Sequence, residues 1–571
     1  MKQLTLQQSK DLGQSPEWLT EEGYKTLMSG YTLEGESPRD LWERVTNASA
    51  ARLGKPELAP EFFDIIWKNW LCLASPVASN MGTDRGLPIS CYGGYVGDSI
   101  NDIMTSMHEA AMLSKNGGGL GYFYGGVRHR GAPIKNNGYS NGVVPAMKIL
   151  DSITVGVSQG GTRRGASSVY LPIEHPDFEE FMEIRRVTGG DDNLKCMNIH
   201  HAVTIGDEFM QKLMAGDPEA REKWRVLITT RFETGEPYIM FRDTVDKARP
   251  ESYKNLGLKV HQSQLCSEIL LHSDELHTFV CCLSSMNAVR YREWKDTNAV
   301  ELATWFLDGV MEEFIVKARG RSGFEKAVRF SEKSRALGLG VLGLHTFFQQ
   351  EDLPFESFEA YLLNGAIFKQ IREQADKATQ DLAKEYGEPE WCKGTGRRNT
   401  HCLAVAPTAT NSVISGNVSQ GIEPLAANAF SKKTGKGTFL EKNKRLKELL
   451  KSLDKDTREV WLDIVSNGGS VQHLDFLTDH QKAVYKTARE IDQLTIVKLA
   501  AQRQKFIDQG QSLNLFFSPD ESPKYINKVH LEAWKQGLQT LYYVRSSSVL
   551  KGDKGSRAYK REETDCTYCE G

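Results

Sequence analysis

The stretch that most limits the folds open to this chain is Ser263-Gln-Leu-Cys266-Ser-Glu268-Ile-Leu-Leu271. Leu265, Ile269, Leu270 and Leu271 surround a thiol and a carboxylate. Burying such an apolar run is favourable at about 25 cal/mol per Å², and it takes Glu268 inside as well. A buried carboxylate needs hydrogen-bond partners or a proton. The setting therefore suits a buried loop better than a surface turn. In an extended segment, residues two apart share a face, so Cys266 and Glu268 are expected to open into one pocket. A thiol beside an acid/base group fits a cysteine that reacts with a substrate. The competing reading is a small core residue, since free cysteine is among the most buried types.

Composition narrows the class. The chain has 571 residues, 40% hydrophobic and 25% charged, an ordinary globular balance. Its net charge of −3 gives no reason to expect a nucleic-acid-binding or membrane-seeking surface. No apolar run approaches the ~20 residues of a membrane span. The opening Met-Lys-Gln-Leu-Thr-Leu lacks the apolar core of a signal peptide, so a cytoplasmic protein is expected. The ten cysteines are Cys72, Cys91, Cys196, Cys266, Cys281, Cys282, Cys392, Cys402, Cys566 and Cys569. In a reducing compartment they do not form a disulfide framework, which leaves those in unusual settings as redox or catalytic candidates.

Along the chain, residues 1–70 read as a helical region. Ser37-Pro38 reads as a capped helix start, and Leu41, Trp42, Val45 and Ala48 follow at helical spacing. Cys91 precedes a glycine pair. Asp98-Ser99 then reads as a cap for a helix through Ile100, Ile103, Met107 and Ala111. The glycine run 117–126 follows a helix rather than a strand, so it is read as a close-approach turn, not a dinucleotide fingerprint. Two glycine-and-arginine loops, Arg128–Lys135 and Ser158–Gly165, suit a nucleotide phosphate. Residues 196–345 alternate strands and helices, which indicates α/β architecture. His200 and His201 are neighbours on a strand. They face opposite sides and cannot chelate one metal, so they are read as structural.

Val405-Ala-Pro-Thr408-Ala409-Thr410-Asn411-Ser412 is an apolar strand running into small donors. It can hold phosphate if it opens a helix. Residues 436–466 read as a charged, helical surface insertion, and Leu538–Val544 as a strand carrying Tyr542 and Tyr543. Residues 551–571 read as a disordered tail ending Cys566-Thr-Tyr-Cys569-Glu-Gly. No metal-ligand set is expected, because a lone Cys-x-x-Cys is half of a zinc site.

Taken together, these motifs resemble the catalytic (large) subunit of class I ribonucleotide reductase. The residues that carry the likeness are Ser90-Cys91 before the glycines, Leu-Cys-x-Glu-Ile at 265–269 and Cys-x-Leu-Ser-Ser-x-Asn at 281–287. The Pro-Thr-Ala-Thr-Asn-Ser loop, Leu-Tyr-Tyr at 541–543 and the terminal cysteine pair complete it. The resemblance covers roughly residues 70–571. It implies a ten-stranded α/β barrel over residues 71–550, with Cys266 on a central finger loop and a flexible redox tail at 551–571.

It also implies roles. Cys266 would carry a thiyl radical that takes the 3′ hydrogen of a ribonucleoside diphosphate, and Glu268 would take the 3′-hydroxyl proton. Gln264 would contact the ribose hydroxyls, and Cys91 would protonate the leaving 2′-hydroxyl. Cys91 and Cys281 would then end as a disulfide, reset by Cys566 and Cys569. The 23 residues from Tyr543 to Cys566 span roughly 25 Å as a flexible linker, comparable to the radius of a chain of this size. Tyr542 and Tyr543 would relay the radical from a metal-containing small subunit. Neighbouring strand residues face opposite ways, so such a relay needs local twist or ring stacking. Ser75, Ser90, Thr408, Ala409, Thr410, Asn411 and Ser412 match substrate-binding positions. Asp98, Ser99, Arg128, Lys135, Gln159 and Arg163 match an effector site for a nucleoside triphosphate.

The implied partners are the small subunit, thioredoxin or glutaredoxin, and a second copy of the chain. No covalently held cofactor, nucleic acid or membrane is implied. Gln264 departs from the family's usual asparagine, and the short N-terminal region shows no ATP-cone motif. The rival readings are an adenosylcobalamin-dependent reductase, a non-catalytic nucleotide-binding protein and a plain thiol–disulfide oxidoreductase.

Overall fold

The computed structural model describes residues 4–157, 165–187, 191–434 and 437–546. The N-terminal region is helical, with helices Leu6–Asp11, Glu21–Gly30, Pro38–Arg52 and Ala59–Trp67. Ser37 caps the third: its hydroxyl accepts from Asp40 N, and the Asp40 carboxylate accepts from Ser37 N at 2.9 Å. The buried stripe Leu41, Trp42, Val45 and Ser49 packs this helix on Ala299–Ala318. There Ser49 Oγ donates to Phe306 O at 2.8 Å.

The strands among the described residues are β1 (Leu71–Leu73), β2 (Cys91–Tyr95), β3 (Gly119–Phe123), β4 (Ser167–Pro172), β5 (Ile199–Ile205), β6 (Tyr238–Phe241), β7 (Phe279–Val280), β8 (Leu283–Asn287), β9 (Gly338–Leu342), β10 (Ala429–Thr434), β11 (Gly437–Lys442), β12 (Leu515–Phe517), β13 (Thr540–Leu541) and β14 (Val544–Ser546). β2 to β6 run parallel in sequence order. Antiparallel β7 pairs with β2 at one edge, and antiparallel β13 pairs with β6 at the other. Near-continuous burial of β3, β4 and β5 is what a parallel sheet covered on both faces requires.

A second parallel array starts where the first ends. β8 follows β7 after two residues and pairs with β9, and bridges Leu339↔Leu403 and Val405↔Gln511 extend the array. The segment after Gln511 enters β12, which lies parallel to β14. Hydrogen bonding thus returns to the stretch that carries β13, beside β6, and the sheets curl around an interior. This is an α/β barrel with a helical N-terminal region. Regular pairing gives sheets of seven, three, two and two strands rather than one continuous sheet of ten. The interruptions fall where Cys281-Cys282 and Tyr542-Tyr543 break the ladders.

Three expectations need correction. The glycine run 117–126 contains β3 rather than a turn, although close approach is indeed why glycines sit there. Residues 436–466 are not simply a helical insertion. The strand pair β10–β11 precedes helices Lys444–Ser452 and Arg458–Ser466, and Trp461, Leu446, Leu450 and Ile464 form a second buried core. Leu538–Val544 is not one strand, because Tyr542 and Tyr543 lie between β13 and β14.

Candidate active site

Residues 256–278 contain no strand or helix and pass through the barrel interior. The barrel wall is shaped to admit them. A Cβ on Gly121 of β3 would lie 2.5 Å from Ser263 O, and one on Gly119 would lie 3.0 Å from Cys91 Sγ and 2.9 Å from Leu265 Cδ2. Only glycine leaves room for this loop. Hydrogen bonds then fix it from both arrays. Tyr170 Oη of β4 donates to Gln264 O at 2.7 Å, and Gln262 Nε2 donates to Gly94 O of β2 at 2.8 Å. From the other side, Gly510 N donates to Glu268 O at 2.8 Å.

Cys266 and Glu268 do share a pocket, but not through strand alternation. They flank Ser267, whose φ of +69° makes the tip a tight turn. Left-handed backbone at a non-glycine residue is the sort of local strain that clusters at functional sites. Gln264 braces the turn: its Oε1 accepts from Ile269 N at 3.0 Å and from Ser263 Oγ at 2.7 Å. Ser512, from the opposite array, places its Oγ 2.8 Å from Glu268 Oε2 and 2.5 Å from Cys266 O.

Cys91 and Cys281 complete the pocket. Tyr92 pairs with Val280 across the antiparallel β2–β7 ladder, so Cys91 stands opposite Cys281, and Cys281 N donates to Cys91 O at 3.0 Å. Directly opposed residues sit about 4.5–5.5 Å apart at Cα, within the ~4.4–6.8 Å that a disulfide spans. Cys91 is also in thiol hydrogen-bond contact with Cys266 and with Cys281. All three sulfurs and Glu268 are buried. Cys282 turns away, its Sγ 3.5 Å from Leu307 O.

Burial and the neighbouring thiol and carboxylate push the Cys266 and Cys281 thiols well above their ordinary range. Burial and the adjacent Cys91 raise Glu268 to about 8, against the Ser512 hydroxyl and the Gln264 amide, which favour the carboxylate. Gln264 Nε2 is buried and has no other hydrogen-bond partner. At neutral pH the pocket is therefore proton-loaded and close to electrically neutral. Thiol–disulfide exchange needs thiolate, and this setting disfavours it. Transfer of hydrogen from an intact S–H is what it permits.

The tyrosine pair leads away from this pocket. The rings of Tyr542 and Tyr543 lie 4.3 Å apart, which the break between β13 and β14 allows. Tyr238 of β6 packs on both, at 4.7 and 5.0 Å. Tyr542 lies near enough to Cys266 for their charged forms to repel, part of what raises its pKa alongside burial. At the far end, the Tyr543 hydroxyl is 3.5 Å from His200 Nδ1. His200 and His201, read as structural, both reach Glu236, at 2.5 and 3.1 Å, with Arg185 3.6 Å away.

The ribonucleotide reductase barrel-domain family matches residues 89–219, 217–395 and 389–544, and the ribonucleotide reductase all-alpha domain matches 17–86. The chain belongs to the ribonucleotide reductase family, as a large subunit. It is 37% identical to the ribonucleoside-diphosphate reductase large subunit of Invertebrate iridescent virus 3, over 96% of this chain and 98% of that one. It is 41% identical to a putative large subunit from Frog virus 3, over 91% and 93% of the two chains. A solved class Id ribonucleotide reductase alpha subunit from Actinobacillus ureae superposes with a TM-score of 0.87 at 41% identity, covering 94% of this chain and 99% of that one.

Thr408 opens a helix, Ala409–Ile414, and its Oγ1 accepts from Gly421 N at 2.8 Å and lies 2.8 Å from Ser412 Oγ. Ser75 Oγ lies 3.0 Å from Tyr31 Oη and 3.4 Å from Asn411 Oδ1, which joins it to this loop. Thr410 lies in the first turn of that helix, and Ser90 is buried beside Cys91, its carbonyl accepting from Gly119 N at 2.8 Å. Ser99 caps the helix Ile100–Lys115, and Asp98 accepts from Arg128 N and Nε at 2.7 and 2.8 Å. Lys135 is exposed. Gln159, Arg163, Cys566 and Cys569 lie outside the described residues. Sequence reasoning missed Ser512, Tyr170, Tyr238 and Glu236, none of which sits in a recognisable motif. Among the described residues, no helix is long and apolar enough to cross a membrane.

Proposed function

We propose that this chain is the catalytic subunit of a ribonucleoside-diphosphate reductase that makes 2′-deoxyribonucleoside diphosphates by thiyl-radical chemistry. The observation that carries the proposal is Cys91 standing opposite Cys281 in register, with Cys266 and Glu268 against them in one buried pocket. A Cys266 sulfur radical takes the 3′ hydrogen, and Glu268 takes the 3′-hydroxyl proton. Cys91 protonates the departing 2′-hydroxyl. Cys281 gives its hydrogen to C2′ as it closes a disulfide with Cys91, the pair supplying two electrons; Glu268 returns the proton to O3′, and Cys266 returns the 3′ hydrogen. Removing a ribose hydroxyl is beyond acid/base groups alone, which is why a radical is needed.

Tyr542 and Tyr543 relay the radical from a separate metal-containing small subunit. The tyrosine contact and the likeness to a class Id alpha subunit favour this source over adenosylcobalamin. The loop Thr408–Ser412, with Ser75, holds the substrate phosphates, and Ser90 is a further substrate-binding residue. Asp98, Ser99, Arg128, Lys135, Gln159 and Arg163 bind a nucleoside triphosphate effector. The Cys566–Cys569 tail returns the disulfide to dithiol by exchange, and thioredoxin or glutaredoxin re-reduces the tail. A homodimer is the working assembly.

An assay with CDP, a reductant and candidate small subunits tests this reading. Deoxy-CDP should form only with a small subunit present and not with Cys266→Ser. Turnover by this chain alone with adenosylcobalamin would replace the small-subunit source. Turnover by Cys266→Ser would remove the chemistry altogether.

A further inference from the structure

Tyr543 is lined on its inner sides by rings, at 4.3 Å from Tyr542, 5.0 Å from Tyr238 and 5.9 Å from His200. Its outer cover is a cation. The guanidinium carbon of Arg545 stands 4.4 Å from the centre of the Tyr543 ring, and Arg545 is the exposed residue of β14 between buried Val544 and Ser546. The backbone that carries it is anchored. Val544 N donates to Gly235 O at 2.9 Å, Ser546 Oγ to Phe232 O at 2.8 Å, and Tyr543 N to Asn514 Oδ1 at 3.0 Å. In the parallel β12–β14 register, Arg545 lies beside Phe516. The cation is thus held over Tyr543 by a strand and not by a loose arm.

What this guanidinium lacks is an anion. Among the described residues, no hydrogen bond or ion pair reaches it. The carboxylates nearby have other partners. Glu236 is taken by Arg185, His200 and His201. Glu423 feels the charge of Arg545, but it accepts from Asn514 N at 3.1 Å and forms no ion pair with the arginine. An arginine carries five N–H donors in a rigid fork that matches a carboxylate. Lying over an aromatic ring satisfies its charge only in part and leaves the fork to be filled from outside the chain.

We propose that Arg545 is a docking contact for the small subunit, and that it receives, in a two-pronged ion pair, a carboxylate presented by that subunit where the radical enters. The contact rests on the small-subunit reading of Tyr542 and Tyr543. A protein that hands a radical to Tyr543 must come close to it, and on the outer side it meets Arg545 first. Covering a bare guanidinium without an anion would desolvate an uncompensated charge, which works against binding. A hydroxyl or amide would fill the fork and leave the charge. A carboxylate answers both, and it seats the partner within a side chain's reach of the Tyr543 ring.

The test uses the full-length chain with a small subunit that supports turnover, and reads the small-subunit concentration that gives half-maximal CDP reduction. Arg545→Gln keeps an amide of similar reach and removes the charge. It should raise that concentration about ten-fold at low ionic strength, the worth of one good charged contact. The rate at saturating small subunit and the KM for CDP should stay near those of the parent. The gap should close in ~1 M salt, where the screening length falls to about 3 Å. Arg545→Lys, which keeps the charge without the fork, should recover part of the loss. An unchanged half-maximal concentration in Arg545→Gln would overturn the proposal. So would a fall in the saturated rate alone, which would place the effect of Arg545 on Tyr543 and not on the partner. A second arm neutralises the acidic residues of the small subunit one at a time, alone and against Arg545→Gln. One of them should cause no further loss in the double variant, and full additivity for every acid would overturn the carboxylate assignment. No turnover by the parent with any small subunit would remove the small-subunit reading itself, and this contact with it.

Discussion

Glu268 and Glu236 sit at opposite ends of the Tyr542–Tyr543 pair, equally buried at 1% and 3% exposure, yet they titrate in opposite directions. Burial pushes both upward. Glu268 finds a thiol, a hydroxyl and an amide but no cation, and ends at about 8. Glu236 finds Arg185, His200 and His201, whose attraction outweighs burial and holds it well below the usual carboxylate range. Partners decide ionisation here, not depth. At the inner end of the tyrosine pair the thiols stay protonated, as hydrogen-atom transfer requires, and Glu268 needs a pH near 8 to ionise. The outer end is fixed and charged, as an anchor for Tyr543 requires.

The inner end is broken most completely by removing its sulfur. Cys266→Ser should lower turnover at least ~10³-fold, or about 4 kcal/mol of barrier, while the thermal midpoint moves little. Tyr543→Phe should abolish turnover comparably, because the ring and its packing stay while the oxidisable hydroxyl goes. Rate measurements with substrate and small subunit, paired with thermal melts, check both. Retained turnover in Tyr543→Phe would disconnect the charged end from the chemistry.

The glutamates should respond to pH with opposite sign. Glu236 is depressed in the folded state, so its stabilising effect is present above the unfolded carboxylate range and lost as pH falls. Glu236→Gln leaves Arg185 and the histidines without their counter-charge and should cost about 3–5 kcal/mol at pH 7, a gap that narrows in acid. Glu268 is raised from 4.5 to about 8. Its neutral form is the comfortable one, so stability is full below the unfolded value and falls as pH climbs through the folded value. Glu268→Gln should match the parent near pH 4 and gain on it up to pH 8, by a few kcal/mol (~3–5) at the top. Denaturant melts across pH would show the two difference curves diverging, and parallel curves would mean that the two carboxylates are alike after all.

The contrast also marks what the sequence could tell. Cys91, Cys266 and Cys281 converge as the motifs imply, because the β2–β7 register puts two of them opposite each other and glycines of β3 admit the third. Cys266 and Glu268 meet not by strand alternation but because a left-handed Ser267 turns both into one pocket. Glu236 was invisible because its effect depends on two histidines some 35 residues away in sequence, on the neighbouring strand. Alternation along β5 predicted divergence for those histidines, but one carboxylate with two oxygens serves both. Ser512 acts on Glu268 from 244 residues away, a separation no local pattern encodes.

Ser512 offers the finest test of the comparison. When Glu268 is protonated, its O–H can donate to Ser512 Oγ, which donates in turn to Cys266 O. When Glu268 is ionised, the hydroxyl can turn to the carboxylate instead. One side chain thus serves both states but favours the charged one, in opposition to burial. Ser512→Ala should cost about 1–2 kcal/mol of stability, a smaller loss than at Glu236. It should also raise the Glu268 pKa further. In the proposed mechanism Glu268 would accept the 3′-hydroxyl proton only as carboxylate, so kcat/KM should climb with pH toward about 8 in the parent. That ascending limb should shift to higher pH in Ser512→Ala, and Ser512→Thr, which restores the hydroxyl, should return it. A limb that stayed put would mean that the hydroxyl braces the Cys266 backbone alone, and that Glu268 owes its neutrality entirely to burial and Cys91.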